Sequence, residues 1–259
     1  MKIRLVFSVL LTFLLKLAPM SVAQVKTPVN FFESKQGYLF DMSFTIHQPM
    51  GDMADRFGIN SALGIGANYK MKNNWQFGMQ YQWIFGQAVK ETNMLDSISG
   101  PTGHILDNEG NIAVIRFFER GHTGYLQASK LIPLGVNNSN SGLYFQAGAG
   151  FMLHRVYIYS STTTLPQLSD EYKKGYDRLS GGLALKQFIG YQHLDPKKRI
   201  NIVLGIEFQQ GFTKSLRSFD YDTRTVDNQK RKDLLIGPKI GLILPFYTKK
   251  KSDEEFFTD

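Results

Sequence analysis

The sequence predicts an all-β fold: an antiparallel, eight-stranded, transmembrane up-and-down β-barrel with short periplasmic turns and long extracellular loops. Three observations carry this. Apolar and polar residues alternate with period two in segment after segment, as in strands with one apolar face. The apolar faces are rich in Trp, Tyr and Phe while Gln and Gly stand opposite, which suits lipid outside and a narrow polar lumen inside. The connections alternate short and long, a transmembrane-barrel habit that a soluble sandwich has no reason to keep.

The chain of 259 residues opens with Lys2 and Arg4, an apolar run over residues 5–15, and Ser21-Val22-Ala23 before Gln24. This pattern predicts a Sec signal peptide over residues 1–23, too short in its apolar part for a membrane helix and without a cysteine for lipidation. Residues 24–35 are then expected as a periplasmic N-terminal segment, 36–247 as the barrel and 248–259 as a periplasmic tail, in the outer membrane of a Gram-negative cell. The chain has no Cys, so disulfides and thiolate metal sites are excluded. Its formal charge of +8 includes Lys2, Arg4 and Lys16 of the leader, and the modest remainder suits anionic headgroups. Export argues against nucleic acid as a partner.

The first strand shows Tyr38, Phe40, Met42, Phe44 and Ile46 alternating with Leu39, Asp41, Ser43, Thr45 and His47. The second sets Ile59, Leu63, Ile65, Ala67 and Tyr69 against Asn60, Gly64, Gly66, Asn68 and Lys70, and the tight turn 71–74 leads into the third. There Trp75, Phe77, Met79, Tyr81, Trp83 and Phe85 face away from Gln76, Gly78, Gln80, Gln82 and Gly86. The fourth is placed near 123–134 and the sixth at 180–192, both less regular. The fifth opposes Leu143, Phe145, Ala147, Ala149, Phe151 and Leu153 to Tyr144, Gln146, Gly148, Gly150 and His154. The seventh opposes Ile202, Leu204 and Ile206 to Val203, Gly205 and Glu207, and the eighth opposes Ile236, Ile240, Leu242, Leu244 and Phe246 to Gly237, Lys239 and Gly241. Short connections fall at 71–74, 135–141 and 195–199; long ones at 48–58, 87–121, 160–179 and 213–233. A ninth strand at 111–118 would leave an odd count with the chain ends on opposite sides, so this segment is expected as an extension of the fourth strand or structure within the second long loop.

On these segments the chain resembles the small eight-stranded outer-membrane barrels of the OmpA/OmpX type, over about residues 36–247. Residues 51–58 and 170–178 are similar to stretches of uncharacterised Bacteroidota outer-membrane barrels. Phe246 and Tyr247 resemble the aromatic end that the barrel-assembly machinery reads, with a departure in the further tail 248–259. That tail is too short for the peptidoglycan-binding domain of OmpA, so the resemblance implies no wall anchoring. It brings no catalytic motif.

Eight strands leave an interior just wide enough for side chains. Asp41, Lys186, Glu207 and Lys239 are expected there, two charges of each sign, as a neutralised polar plug or as an ion or proton path. His47, His104, His122, His154 and His193 show no metal-binding spacing, and no cofactor is implied. Some barrels of this size modify lipid A acyl chains with a rim His, Ser and carboxylate. Here His154, Ser160, Ser161, Asp170 and Glu171 supply such residue types, in a set that many chains would match by chance. The loops offer mixed aromatic and basic surfaces: Tyr172, Lys173, Tyr176 and Arg178 in the third, and Arg217, Tyr221 and Arg224 in the fourth. The function expected is therefore non-enzymatic, structural or as a subunit of a secretion or barrel-assembly complex acting through the loops, with outer-membrane lipid, lipopolysaccharide and other envelope proteins as partners. The alternatives are a lipid A-modifying enzyme and a narrow channel.

Overall fold

The computed structural model describes residues 34–100, 103–107, 109–134, 138–161, 165–195 and 200–248. The expected leader, the expected tail beyond Thr248 and parts of the two short connections at 135–141 and 195–199 lie outside them. The strands are β1 (Gly37–Gly51), β2 (Asn60–Lys70), β3 (Trp75–Gly86), β4 (Ile115–Pro133), β5 (Gly142–Ser160), β6 (Ser180–Leu194), β7 (Asn201–Ser215) and β8 (Lys230–Tyr247). Each pairs antiparallel with its neighbour in sequence, and β1 pairs with β8 from Gly37↔Tyr247 to Gly51↔Asp233, closing the barrel so that no edge is left open.

Alternation dictates the two faces. Tyr38, Phe40, Met42, Phe44 and Ile46 of β1 point outward and are exposed, whereas Leu39, Ser43, Thr45 and His47 are buried in the lumen. The same holds around the wall: Leu126 of β4 is 72% exposed to the outside while its neighbour Tyr125 is 3% exposed within. A face of this kind in water would be an aggregation surface; against hydrocarbon it is the stable arrangement. On β5 the apolar outward run from Leu143 to Leu153 rises about 3.4 Å per residue. With a strand tilt of about 40° it spans roughly 25 Å, the height of a barrel's lipid-facing band.

One interruption in the ladder has a local cause. The β1–β8 register runs from Thr45↔Lys239 to Gln48↔Ile236 without pairs at Ile46 and His47, opposite Gly237 and Pro238. Pro238 has no N–H to donate. At Gly237 the β1 backbone comes so close that a Cβ would lie 1.7 Å from the Ile46 carbonyl oxygen, so only glycine fits.

β4 is longer than its apolar pattern suggests. It begins at Ile115, so residues 115–118 extend the strand, while Ile112 forms a bridge with Leu106 inside the loop. β5, β7 and β8 likewise run past their alternating segments, because a hydrogen-bond ladder does not need lipid to continue. The turn at 71–74 is closed by Met71 N–H to Trp75 O at 2.8 Å, with Asn74 left-handed at φ 65°, a conformation its short polar side chain tolerates.

The long loops carry little regular structure: a helical turn α1 (Met53–Arg56), a second α2 (Asp170–Lys173), and 3-10 turns at Asn93–Ile98 and Pro166–Leu168. α1 folds inward over the barrel mouth. Met53 and Phe57 are fully buried there beside Ile84, Met152 and Leu235, forming an apolar layer above the polar lumen. A second apolar layer of Leu39, Leu131, Tyr144, Phe188, Leu194, Val203 and Ile243 closes the opposite half.

Candidate functional site

Two places concentrate chemistry: the middle of the lumen and the crown of loops above it. In the lumen, Glu207 is fully buried and takes Lys239 Nζ at 2.8 Å on one carboxylate oxygen. Its other oxygen accepts from Gln82 Nε2 at 2.8 Å and Gln209 Nε2 at 2.7 Å, with His47 Nε2 at 3.5 Å. Asp41 and Lys186 meet indirectly. Lys186 Nζ donates to Gln80 and, at 2.5 Å, to Gln127; Gln127 donates to Asn68 at 2.8 Å, and Asn68 to Asp41 at 3.1 Å. The network thus distributes two charges of each sign over amides that saturate them, the arrangement under which buried ions are tolerated. The space left beside Asp41, Asn68 and Lys239 is about 20 Å³, room for a single water.

The network continues outward through His47, Asn60 and His154, which the alternation sets on the polar faces, and through Glu119 and Asp233, which lie beyond the alternating segments. His47 Nδ1 lies 3.2 Å from Asn60 Oδ1, and Asn60 Nδ2 lies 3.0 Å from both oxygens of the buried Glu119. Above these, His154 Nε2 is 2.8 Å from Asp233 Oδ2, which also accepts from Thr213 Oγ1 at 2.5 Å. His154 is therefore a buried lumen residue held by Asp233 from β8, and its ring stands at 90° to Phe57 of the plug. Ser161, on the outer side, donates instead to the Val114 carbonyl. The rim grouping of His154 with Ser160, Ser161, Asp170 and Glu171 is not the one the geometry brings together. In the Thr213–Asp233–His154 chain the hydroxyl donates to the carboxylate rather than to the imidazole, so these residues do not form the hydroxyl–imidazole pair that the rim grouping would need.

The loop crown is built from arginines and carboxylates of different loops. Arg56 of α1 is 4% exposed and donates to Ser180 Oγ and to the Arg178 carbonyl, both at 2.9 Å, with Glu91 at 3.3 Å. Arg178 in the third loop meets Glu91 of the second at 2.8 Å and Asp222 of the fourth at 2.7 Å, with Asp220 at 3.7 Å. Its backbone is left-handed, φ 48°, an uncommon state for a side-chain-bearing residue that these contacts hold in place. Arg217 grips Asp177 in a fork, 2.8 and 2.6 Å, and that carboxylate raises the guanidinium pKa. Two of the basic loop residues singled out from the sequence, Arg178 and Arg217, are thus spent on holding loops together.

Tyr176 is buried and stands edge-on to Tyr221 at 5.5 Å. Tyr221 also faces Tyr172 at 6.4 Å and Phe219 at 6.1 Å, and its N–H bonds the Gly175 carbonyl at 2.9 Å. Tyr172, Phe219 and Tyr221 remain exposed and, with Lys174 and Glu171, line a groove of about 550 Å³. Lys173 is paired with Asp170 at 3.5 Å, and Arg224 lies exposed at the hairpin tip of the fourth loop, φ 53°.

The chain folds as a small eight-stranded transmembrane β-barrel. No family model and no curated protein matches the sequence. Among solved structures it is similar to Ail, the attachment invasion locus protein of Yersinia pestis, in its complex with the heparin analogue sucrose octasulfate. The identity is 11% and the TM-score 0.40, over 81% of this chain and 99% of that one. It is also similar to Neisserial surface protein A, with 11% identity and TM-score 0.36 over 80% and 96% of the two chains. For the outer membrane protein OprG from Pseudomonas aeruginosa the values are 14% and 0.36, over 81% and 97%. The fold assignment rests on the closed register and the lipid-facing band themselves.

Proposed function

We propose that this chain is a non-enzymatic protein of the Gram-negative outer membrane that works as a binding component of an envelope assembly, with its partner seated on the third and fourth loops. The observation that carries the reading is the contrast between the two candidate sites. Asp41, Lys186, Glu207 and Lys239 each meet a lumen neighbour, whereas the crown spends Arg178 and Arg217 on rigidity and presents the exposed ring cluster of Tyr172, Phe219 and Tyr221 on a fixed frame. Pre-ordered aromatic surface is what a protein interface uses, since little entropy remains to be lost on binding. An envelope protein of the same membrane is the partner that suits it.

The test is affinity purification from native outer membranes of the wild type and of Tyr172→Ser/Phe219→Ser, two exposed changes that leave every inter-loop ion pair intact. Loss of a stoichiometric envelope partner from the variant, with barrel folding unchanged, is the expected result. Retention of the same partner by the variant would move the binding surface elsewhere.

A further inference from the structure

Outside both sites, the outer wall of β4 and β5 carries an arrangement that ordinary barrel-wall chemistry does not explain. Arg120 and Arg155 are direct partners in the β4–β5 register, and both project outward. Like charges directly opposite each other across a strand pair are destabilising. Arg155 is partly answered by Asp177 at 3.4 Å, a carboxylate already gripped by Arg217. Among the described residues Arg120 donates to its own neighbour's backbone, Glu119 O at 2.8 Å, and no carboxylate there lies within ion-pair distance of it. Its guanidinium is instead enclosed by rings, 5.9 Å from the centroid of Trp83, 5.3 Å from Phe118 and 5.7 Å from Tyr157. Rings on three sides hold the cation in place with no carboxylate in direct contact among the described residues.

The height of the pair on the wall is informative. Arg155 is the next outward residue after Leu153, where the apolar band of β5 ends, and Arg120 faces it. At the other end of β4, Lys130 lies over the Trp75 ring at 5.2 Å and donates to Asn73 O at 2.7 Å. Arg120 and Lys130 thus bracket the lipid-facing stretch of β4, and Trp83 and Tyr157 belong to the interfacial girdle on the loop side. This is the level of outer-leaflet headgroups. Between Trp83, Arg120, His122, Arg155 and Tyr157 lies a cavity of about 240 Å³ that opens outward. His122 turns its Nδ1 to the Tyr81 hydroxyl at 2.5 Å, which fixes the ring at the lower edge of the cavity.

We propose that Arg120 and Arg155 clamp one phosphate of an outer-leaflet phosphoglycolipid. A guanidinium fork matches phosphate oxygens in geometry, and an anion seated between the two arginines converts a repulsive cross-strand pair into two charge-assisted contacts. The site rests on the membrane reading of the barrel but is independent of the loop partner. The exposed pair Lys214↔Lys230 on β7 and β8 is also like-charged, yet it has no ring enclosure among the described contacts, and it serves as the control.

The experiment reconstitutes the full chain, the Arg120→Gln/Arg155→Gln variant and the Lys214→Gln/Lys230→Gln variant into nanodiscs of a zwitterionic betaine lipid that carries no phosphate. Each is studied alone, with monophosphoryl lipid A, or with the same glycolipid dephosphorylated, and thermal unfolding is followed by gel migration. Monophosphoryl lipid A is expected to raise the wild-type midpoint by about 2–4 °C. It should raise the lysine variant equally and leave the arginine variant unmoved, while the dephosphorylated lipid moves none of them. The arginine variant loses the ring contacts of Arg120 and the Arg155–Asp177 pair as well as the repulsion, so each protein's shift is read against its own midpoint in the phosphate-free lipid. An equal response of the arginine variant, or a response lost equally with the lysine pair, overturns the site. Failure of the wild type to insert at all would bring down the membrane reading first, and is recognised by the absence of a folded gel band.

Discussion

Arg178 of the third loop and Asp222 of the fourth are joined at 2.7 Å, and the same guanidinium holds Glu91 of the second loop at 2.8 Å, so one side chain ties three loops. The pairs are about a quarter exposed, so each is expected to contribute no more than about 1 kcal/mol, with the network adding order rather than bulk stability.

Replacing this arginine, Arg178→Gln, should therefore loosen the crown without touching the barrel. Amide exchange is expected to quicken at Asp220 and Tyr221, whose N–H groups donate to the Thr225 and Gly175 carbonyls, while the strand amides keep their protection. Unchanged exchange at Tyr221 would show that aromatic packing against Tyr176 holds the loop by itself.

The second loop carries a pH-sensitive turn. Asp107 Oδ1 accepts from the backbone N–H of Asn111 at 2.8 Å and of Glu109 at 2.9 Å, and these bonds, Asn111's first, hold its carboxyl below the ordinary value. A depressed folded pKa means that the stabilisation is complete above the unfolded value, about 3.9, and is lost as pH falls through the folded one. The Asn111 amide resonance should thus shift in a single step below about pH 4. Asp107→Asn should abolish that step; a step that persists would assign it to another acid.

Period two made the wall legible from sequence, because each strand position inside the lipid band must choose between lumen and hydrocarbon. Asp41, Lys186, Glu207 and Lys239 fall on the inward side of their strands for that reason; Lys186, Glu207 and Lys239 are buried and Asp41 is half-buried. Beyond the band the choice lapses. Glu119 and Asp233 lie on strand extensions where no apolar partner marks the face, and Arg56 sits in a loop whose inward fold depends on Met53 and Phe57 filling the mouth. The Arg178 and Arg217 clamps were hidden for a different reason: their carboxylate partners come from other loops or from residues that look like ordinary solvated acids. An arginine in such a loop has the same sequence signature whether it faces a partner or another loop.

The lipid-facing assignment has its own consequence. Met79 lies outward on β3, four residues from Trp75 and four from Trp83, and so close to the middle of the band. Met79→Lys is expected to cost about 2–4 kcal/mol in a urea folding equilibrium with phospholipid vesicles. A change within about 0.5 kcal/mol, as for an ordinary surface site, would place this wall in water.

The final prediction separates lumen from loops. Glu207→Gln leaves the Lys239 ammonium, with Lys186 nearby, without the carboxylate that balances it, and breaking a buried pair in this way costs about 3–5 kcal/mol. The double variant Glu207→Gln/Lys239→Met removes one charge of each sign, keeps an amide oxygen for Gln82 and Gln209 to donate to, and fills the lysine's volume with a side chain of similar shape. Its stability should return to near that of the wild type, because an isosteric neutral replacement of a buried ion pair is often no worse than the pair. If the protein acts through its loops, the double variant should also complement a deletion strain, whereas Tyr172→Ser/Phe219→Ser should fold and fail. A double variant that folds as the wild type does but fails to complement would transfer the function to the lumen, where the Glu207–Lys239 pair would then have to be more than a neutral plug.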